Sequence, residues 1–279
     1  MAYRARKNHL KKYERWIADG GGAARGAQYT PYLSVRDVPS LGNVNRVLGW
    51  KTGRVHQFMS NLEFQFFLLL EWSDAVVDVN EQFPLDLSET QSIAEQLGLK
   101  HPTLPVTQLP NVMTSDFKIT IARGLEHVCR VVSIKPSSQL TERTLQKLEI
   151  ERRYWAKRNV QWNIVTERDI DQTRVRNIQW LHPYRKLQYG LLPETVSVKN
   201  IQNLLREMVT AGGVLSGVAL AFDDQLGLPE GSGLTLVRHF LASKIWRVNM
   251  NVPINPSQPL ALLNLPTPNL DGDFSKPID

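Results

Sequence analysis

The stretch that most restricts the fold is "TSDFKITIARGLEHVCRVVSIKPS", residues 114–137. Its first half alternates polar and apolar residues, its second half is a nearly continuous apolar run, and "RGLEH" between them reads as a turn. Two strands joined in this way form a β-hairpin. "TERTLQKLEIERRYWAKRN" (141–159) follows with the spacing of a long amphipathic helix, and "VQWNIVT" (160–166) is a further strand entered directly from it. Upstream, "SNLEFQFFLLLEW" (60–72) places Leu62, Phe66, Leu69 and Leu70 at helical spacing, and "AVVDVNEQFPL" (75–85) reads as a strand. "SETQSIAEQLGLKH" (88–101) reads as a short helix with a serine cap and a glycine stop. Helix, strand, hairpin, helix and strand in this order make an α/β core around a mixed sheet.

The flanks differ in character. Residues 1–20 form a basic arm, with Tyr3, Tyr13 and Trp16 among the cations. Residues 20–54 are rich in Gly, Pro and Asn and read as an irregular lead-in with short strands. The core domain is expected over 21–184. From 185 to 252, "VKNIQNLLREMVTAGGVLSGVALAFDDQLGL" and "LTLVRHFLASKIWRVNMNVPI" read as helix, turn, helix, then a helix running into a strand. That is the pattern of a small winged-helix-like domain. The Pro-rich tail 253–279 carries Leu260, Leu262, Leu263 and Leu265, either as a segment that folds on a partner or as a closing strand.

Charge narrows the class. The chain is +6 overall, and cations from Arg4 to Arg54 outnumber Glu14, Asp19 and Asp37, which suits contact with a phosphate backbone. No long apolar run or apolar leader argues for a membrane span or export. A single cysteine, Cys129, fits a reducing cytoplasm and excludes a disulfide within the chain.

The residues able to carry chemistry cluster around the hairpin. Alternation puts Ser115 on one face with Phe117, Ile119 and Ile121, and Asp116 on the other with Lys118 and Thr120. Val131, Ser133 and Lys135 share a face of the second strand. Alone, Asp116 and Lys135 make an ordinary surface ion pair. Glu63 stands three residues after Ser60, where a capping box accounts for it, but it also heads an apolar stripe with Phe67 and Leu70. A carboxylate there needs a positive partner, and a divalent cation would serve.

A helical Glu, a strand Asp and an x-Lys on the partner strand resemble the PD-(D/E)xK nuclease arrangement. "YTPYLSVRDVPS", "KTGRVH", "NLEFQFFLLLEW", "VVDVNEQFPL", "KHP", "MTSDF", "IKPS", "RTLQKLEIERRYW" and "NIQWL" follow in order. Over roughly residues 15–182 the chain is similar to the TnsA endonucleases of Tn-seven-type transposons, including CRISPR-associated ones. The resemblance implies a restriction-endonuclease-like domain that hydrolyses the 5′-end strand at transposon ends. Its implied partners are double-stranded DNA, a TnsB-type DDE transposase that cuts the 3′ ends and a TnsC-type AAA+ ATPase. It further implies Mg²⁺, with Mn²⁺ as a substitute and two ions in the site. Glu63 and Asp116 would be metal ligands and Lys135 the site lysine, while Glu151 falls where the family has an acidic residue implicated in activity.

One position departs from the pattern. The family's usual glutamine falls on Ser133, a shorter neutral ligand expected to act through a water or not at all, with the Ile134 carbonyl still available. Asp116 would bridge the ions that activate water and stabilise the leaving oxygen. Lys135 would orient the water or offset phosphate charge. Two other readings stay open. Ser133 could mark a catalytically weakened site in a DNA- and partner-binding assembly factor. Alternatively Asp78, Asp116 and Glu151 could form the triad of a DDE transposase.

Overall fold

The computed structural model describes residues 11–34, 37, 44–104, 108–187 and 197–263. Arg4, Arg6, Lys7, Arg36 and Leu265, with the first half of the basic arm and most of the tail, lie outside the described residues. The chain divides into two compact units between Ile170 and Asp171. The sequence reading puts the change of character at about 185.

In the first unit, residues 11–18 are helical (α1), and strands β1 (Asn45–Leu48) and β2 (Val55–Phe58) form a small antiparallel hairpin. The main sheet has the order β3 (Val76–Pro84), β4 (Thr114–Arg123), β5 (Glu126–Ile134), β6 (Gln161–Val165). The first three strands are antiparallel, and β6 pairs parallel to β5 after the crossover through helix α4 (Glu142–Ala156), so the sheet is mixed as expected.

Each face of the sheet has its own core. Helix α2 (Asn61–Trp72) covers one face, with Phe67 and Leu70 packed on Val79, Phe117, Ile119, Val132 and Ile134. Its buried side runs through Glu63, Phe67 and Leu70, while Leu62 and Phe66 are only partly buried. Helices α3 (Leu87–Gln96) and α4 cover the other face with Ile93, Ile150, Tyr154 and Trp155 against Phe83, Leu85 and Val131. The cap of α3 is Asp86, whose Oδ1 accepts from Glu89 N at 2.9 Å. Ser88, the residue expected to cap, instead donates to that same Oδ1 at 2.6 Å.

The second unit opens with helix α5 (Gln172–Leu181), capped by Asp171, and continues with α6 (Val198–Thr210), α7 (Leu215–Leu226) and α8 (Ser232–Ala242). The helix–turn–helix and the following helix match the sequence reading. The strand expected at "VNMNVPI" is not formed. Asn177 of α5 takes its place as partner, donating to the Met250 and Val252 carbonyls at 3.0 and 2.8 Å and accepting from Ile254 N at 2.9 Å. Backbone groups satisfied by one amide side chain have no need of a neighbouring strand. Among the described residues, the winged-helix expectation therefore keeps its helices and lacks a stranded wing. No helix among them is long and apolar enough to cross a membrane.

Candidate active site

Three elements meet at the ends of β4 and β5. Ser60 caps α2, accepting from Glu63 N at 3.2 Å and donating to Glu63 Oε1 at 2.8 Å. Glu63 Oε2 accepts from Met59 N at 3.2 Å and from the Gln82 amide at 3.5 Å, so both carboxylate oxygens are engaged. Oε1, which accepts only from Ser60, still has a second lone pair for a ligand. Burial pushes the Glu63 carboxyl up to about 7, and the charge of Asp116 adds to the shift.

Asp116 is buried on β4, and its Oδ2 accepts from Ile134 N at 2.6 Å and from Lys135 Nζ at 2.8 Å. The same ammonium donates to the Ile134 carbonyl at 2.8 Å. Burial alone would lower the Lys135 pKa, but Asp116, with Glu151 and Glu63 further off, holds it above the ordinary lysine value. Asp116 Oδ1 accepts no hydrogen bond among the described residues. One ammonium thus sits between a carboxylate and a carbonyl, with a second carboxylate close enough to feel the charge.

The strand that carries Asp116 does not alternate to its end. Phe117 packs tilted against Phe58 and edge-on to Phe66 on the α2 face. Ser115, two residues earlier, should share that face, but it bonds Glu151 and Trp155 of α4. On the neighbouring strand β3, Gln82 has a left-handed backbone (φ 50°) between Glu81, paired with Phe117, and Phe83, paired with Ser115. Phe83 likewise turns to the α4 face, against Trp155. The irregularity turns Ser115 towards α4 and leaves Asp116 facing Lys135. It corrects the expectation that Ser115 lines up with Phe117.

Ser133 faces α4, the side that Val131 packs on, as the alternation of β5 requires. Its hydroxyl donates to Glu151 Oε1 at 2.6 Å, and so does the Ser115 hydroxyl. Burial raises the Glu151 pKa. Glu149, two residues away, lies on the surface with Arg152 and Arg153. Asp78 sits opposite Thr120 and accepts from Gly26 N at 3.2 Å. Among the described residues no three His, Cys, Asp or Glu side chains gather closely enough to hold one ion. Neither the DDE triad nor a three-carboxylate cage is assembled.

The remaining donors are hard oxygens: the Glu63 and Asp116 carboxylates and the Ile134 carbonyl. That set suits Mg²⁺ or Mn²⁺, which need few protein ligands because they retain waters. The sequence reading missed Gln82, whose amide accepts from Thr114 Oγ1 at 3.0 Å and reaches Glu63, as well as Ser115 and Trp155. A signal was present for the first of these. Asn80, Glu81 and Gln82 are three successive polar residues inside a strand that is buried nearly throughout.

A family described as "TnsA-like endonuclease N terminal" matches residues 73–167, and one described as "TnsA endonuclease C terminal" matches residues 169–250. The chain is 37% identical over 223 residues to "Transposon Tn7 transposition protein TnsA" of Escherichia coli, covering 76% of this chain and 78% of that one.

Proposed function

Because the chain belongs to the TnsA endonuclease family, the endonuclease subunits of Tn7-type transposases, we propose that it hydrolyses the 5′-end strand at transposon ends with Glu63, Asp116 and Lys135. The observation that carries this reading is the bond of Lys135 Nζ to Asp116 Oδ2 at 2.8 Å, with Glu63 close enough for the Asp116 charge to raise its pKa.

Glu63, Asp116 and the Ile134 carbonyl would hold a divalent cation, Mg²⁺ or in its place Mn²⁺. When bound, such a cation supplies Lewis-acid polarisation of the phosphoryl group and lowers the pKa of a water. Asp116 Oδ1 offers an uncommitted carboxylate oxygen towards it. Lys135, kept protonated by its carboxylate neighbours, places positive charge where the attacked phosphate gains negative charge. Its bond to the Ile134 carbonyl fixes the ammonium on the same edge. Double-stranded DNA, a TnsB-type DDE transposase and a TnsC-type AAA+ ATPase are the partners this reading requires.

Strand-resolved cleavage of transposon ends in the reconstituted complex tests it. Asp116→Ala should abolish 5′-strand nicking and leave 3′ cutting in place. Unchanged nicking would favour the assembly-factor reading, and loss of 3′ cutting would favour the DDE reading.

A further inference from the structure

Glu151 Oε1 accepts two hydroxyl protons, from Ser115 and Ser133, each at 2.6 Å. These serines are the residues immediately before Asp116 and Ile134, and Ile134 N in turn donates to Asp116 Oδ2. One carboxylate oxygen on α4 therefore ties β4 to β5 where the two strands present Asp116, the Ile134 carbonyl and Lys135. Trp155, four residues after Glu151 on the same helix, donates its indole N–H to Ser115 Oγ at 2.8 Å. With its oxygen already accepting from Trp155, Ser115 directs its own proton to Glu151. Ser115, Ser133 and Glu151 are 0, 1 and 3% exposed, so water does not compete for these bonds.

The break in alternation on β4 serves this contact. Regular pleating would bury the Ser115 hydroxyl among the phenylalanines of the α2 face. Gln82, with its left-handed backbone, sits opposite the site of that break. Glu151 is not gathered with Glu63 and Asp116 into a set able to hold one ion. Its nearest polar partners are the two serines.

We infer that Glu151 is a positioning residue, which with Ser115, Ser133 and Trp155 clamps β4 and β5 in the register that aims Asp116, Ile134 and Lys135, and that it does not ligate the cation. The inference rests on the nuclease reading. It also gives Ser133 a different role from that of the family's glutamine: the serine hydroxyl is committed to the helix, away from the ion.

An amide separates a clamp from a ligand. In Glu151→Gln the amide oxygen accepts the same two hydroxyl bonds, but the charge an ion would need is gone. The test is 5′-strand nicking by the reconstituted complex, combined with Mn²⁺ titration calorimetry of the full chain. Glu151→Gln should stay within about threefold of wild type in both, whereas Glu151→Ala and the double variant Ser115→Ala, Ser133→Ala should lose about 10–100-fold in kcat. KM for the transposon end should not move in any of them. Rescue by Gln and the kcat-only loss are what a general destabilisation would not produce. If Glu151→Ala does not fold, Glu151→Gln against the single Ser115→Ala variant carries the same decision. The inference is overturned if Glu151→Gln is as inactive as Glu151→Ala, if it loses Mn²⁺ affinity tenfold or more, or if the serine variants nick like wild type. An Asp116→Ala control that still nicks would overturn the nuclease reading itself.

Discussion

Ser133 donates to Glu151 Oε1 at 2.6 Å, so the residue standing in the metal-ligand register of β5 is bound to helix α4. That relationship changes what a substitution at this position should do. Sequence alone makes Ser133→Gln a gain, restoring the family's ligand. In the structure Ser133 is 1% exposed, and a longer side chain must displace α4 or its neighbours. Ser133→Gln should cost about 1–3 kcal/mol through overpacking, measured by denaturant unfolding, and should give no advantage at limiting Mg²⁺ in end cleavage.

Glu63 makes the protein's stability depend on pH in a defined direction. Its folded carboxyl is raised to about 7 against an ordinary 4.5, so the folded state holds the proton more tightly than the unfolded one. The Glu63 contribution is fully present below 4.5 and is lost as pH rises to about 7, at up to about 1.4 kcal/mol per unit. In chelator, the stability of wild type minus that of Glu63→Gln should fall across this window. Added Mn²⁺ should restore it above pH 7, as read by thermal unfolding.

Lys135→Ala removes the only side-chain cation bonded to Asp116 among the described residues. Single-turnover 5′ nicking should drop by about 10²–10³, the typical cost of losing one donor aimed at developing charge. Mn²⁺ affinity should hold or rise, because the ion no longer competes with an ammonium for the carboxylate. Calorimetry checks the second half.

A buried ion cluster braces the hairpin β1–β2 against the main sheet. Glu81 is fully buried, accepts from Arg54 Nη1 at 2.8 Å and lies 2.9 Å from His56 Nδ1. Burial opposes its charge, but Arg54 and His56 hold the carboxyl at about 2. Its stabilisation is present above 4.5 and lost as pH falls towards 2. Arg54→Ala leaves that carboxylate without its main partner and should cost about 3–5 kcal/mol, with a much weaker loss of stability on acidification. Thermal unfolding between pH 2 and 7 checks both.

Periodicity carried most of the first unit. The alternation in "DFKITIA", the turn at "RGLEH" and the stripe of 141–159 are local signals, and β4, β5 and α4 lie where they point. Glu63 was legible because a cap and an apolar stripe coincide on it. The turn of Ser115 was not, since alternation assigns it to the opposite face and a non-glycine residue with positive φ, Gln82, gives no local warning. The missing strand at "VNMNVPI" failed for a tertiary reason, because Asn177, some seventy residues earlier, satisfies that backbone. Asp86 and Ser88 are both good caps two residues apart, and only the structure decides between them.

The most direct test of the central claim is the position of Mn²⁺, located by anomalous scattering in crystals of the protein bound to a transposon end. The account predicts density coordinated by Asp116 and Glu63 beside the Ile134 carbonyl, with Glu151 still bonded to Ser115 and Ser133. Density ligated by Glu151 or Ser133, or no density at saturating Mn²⁺, would contradict it.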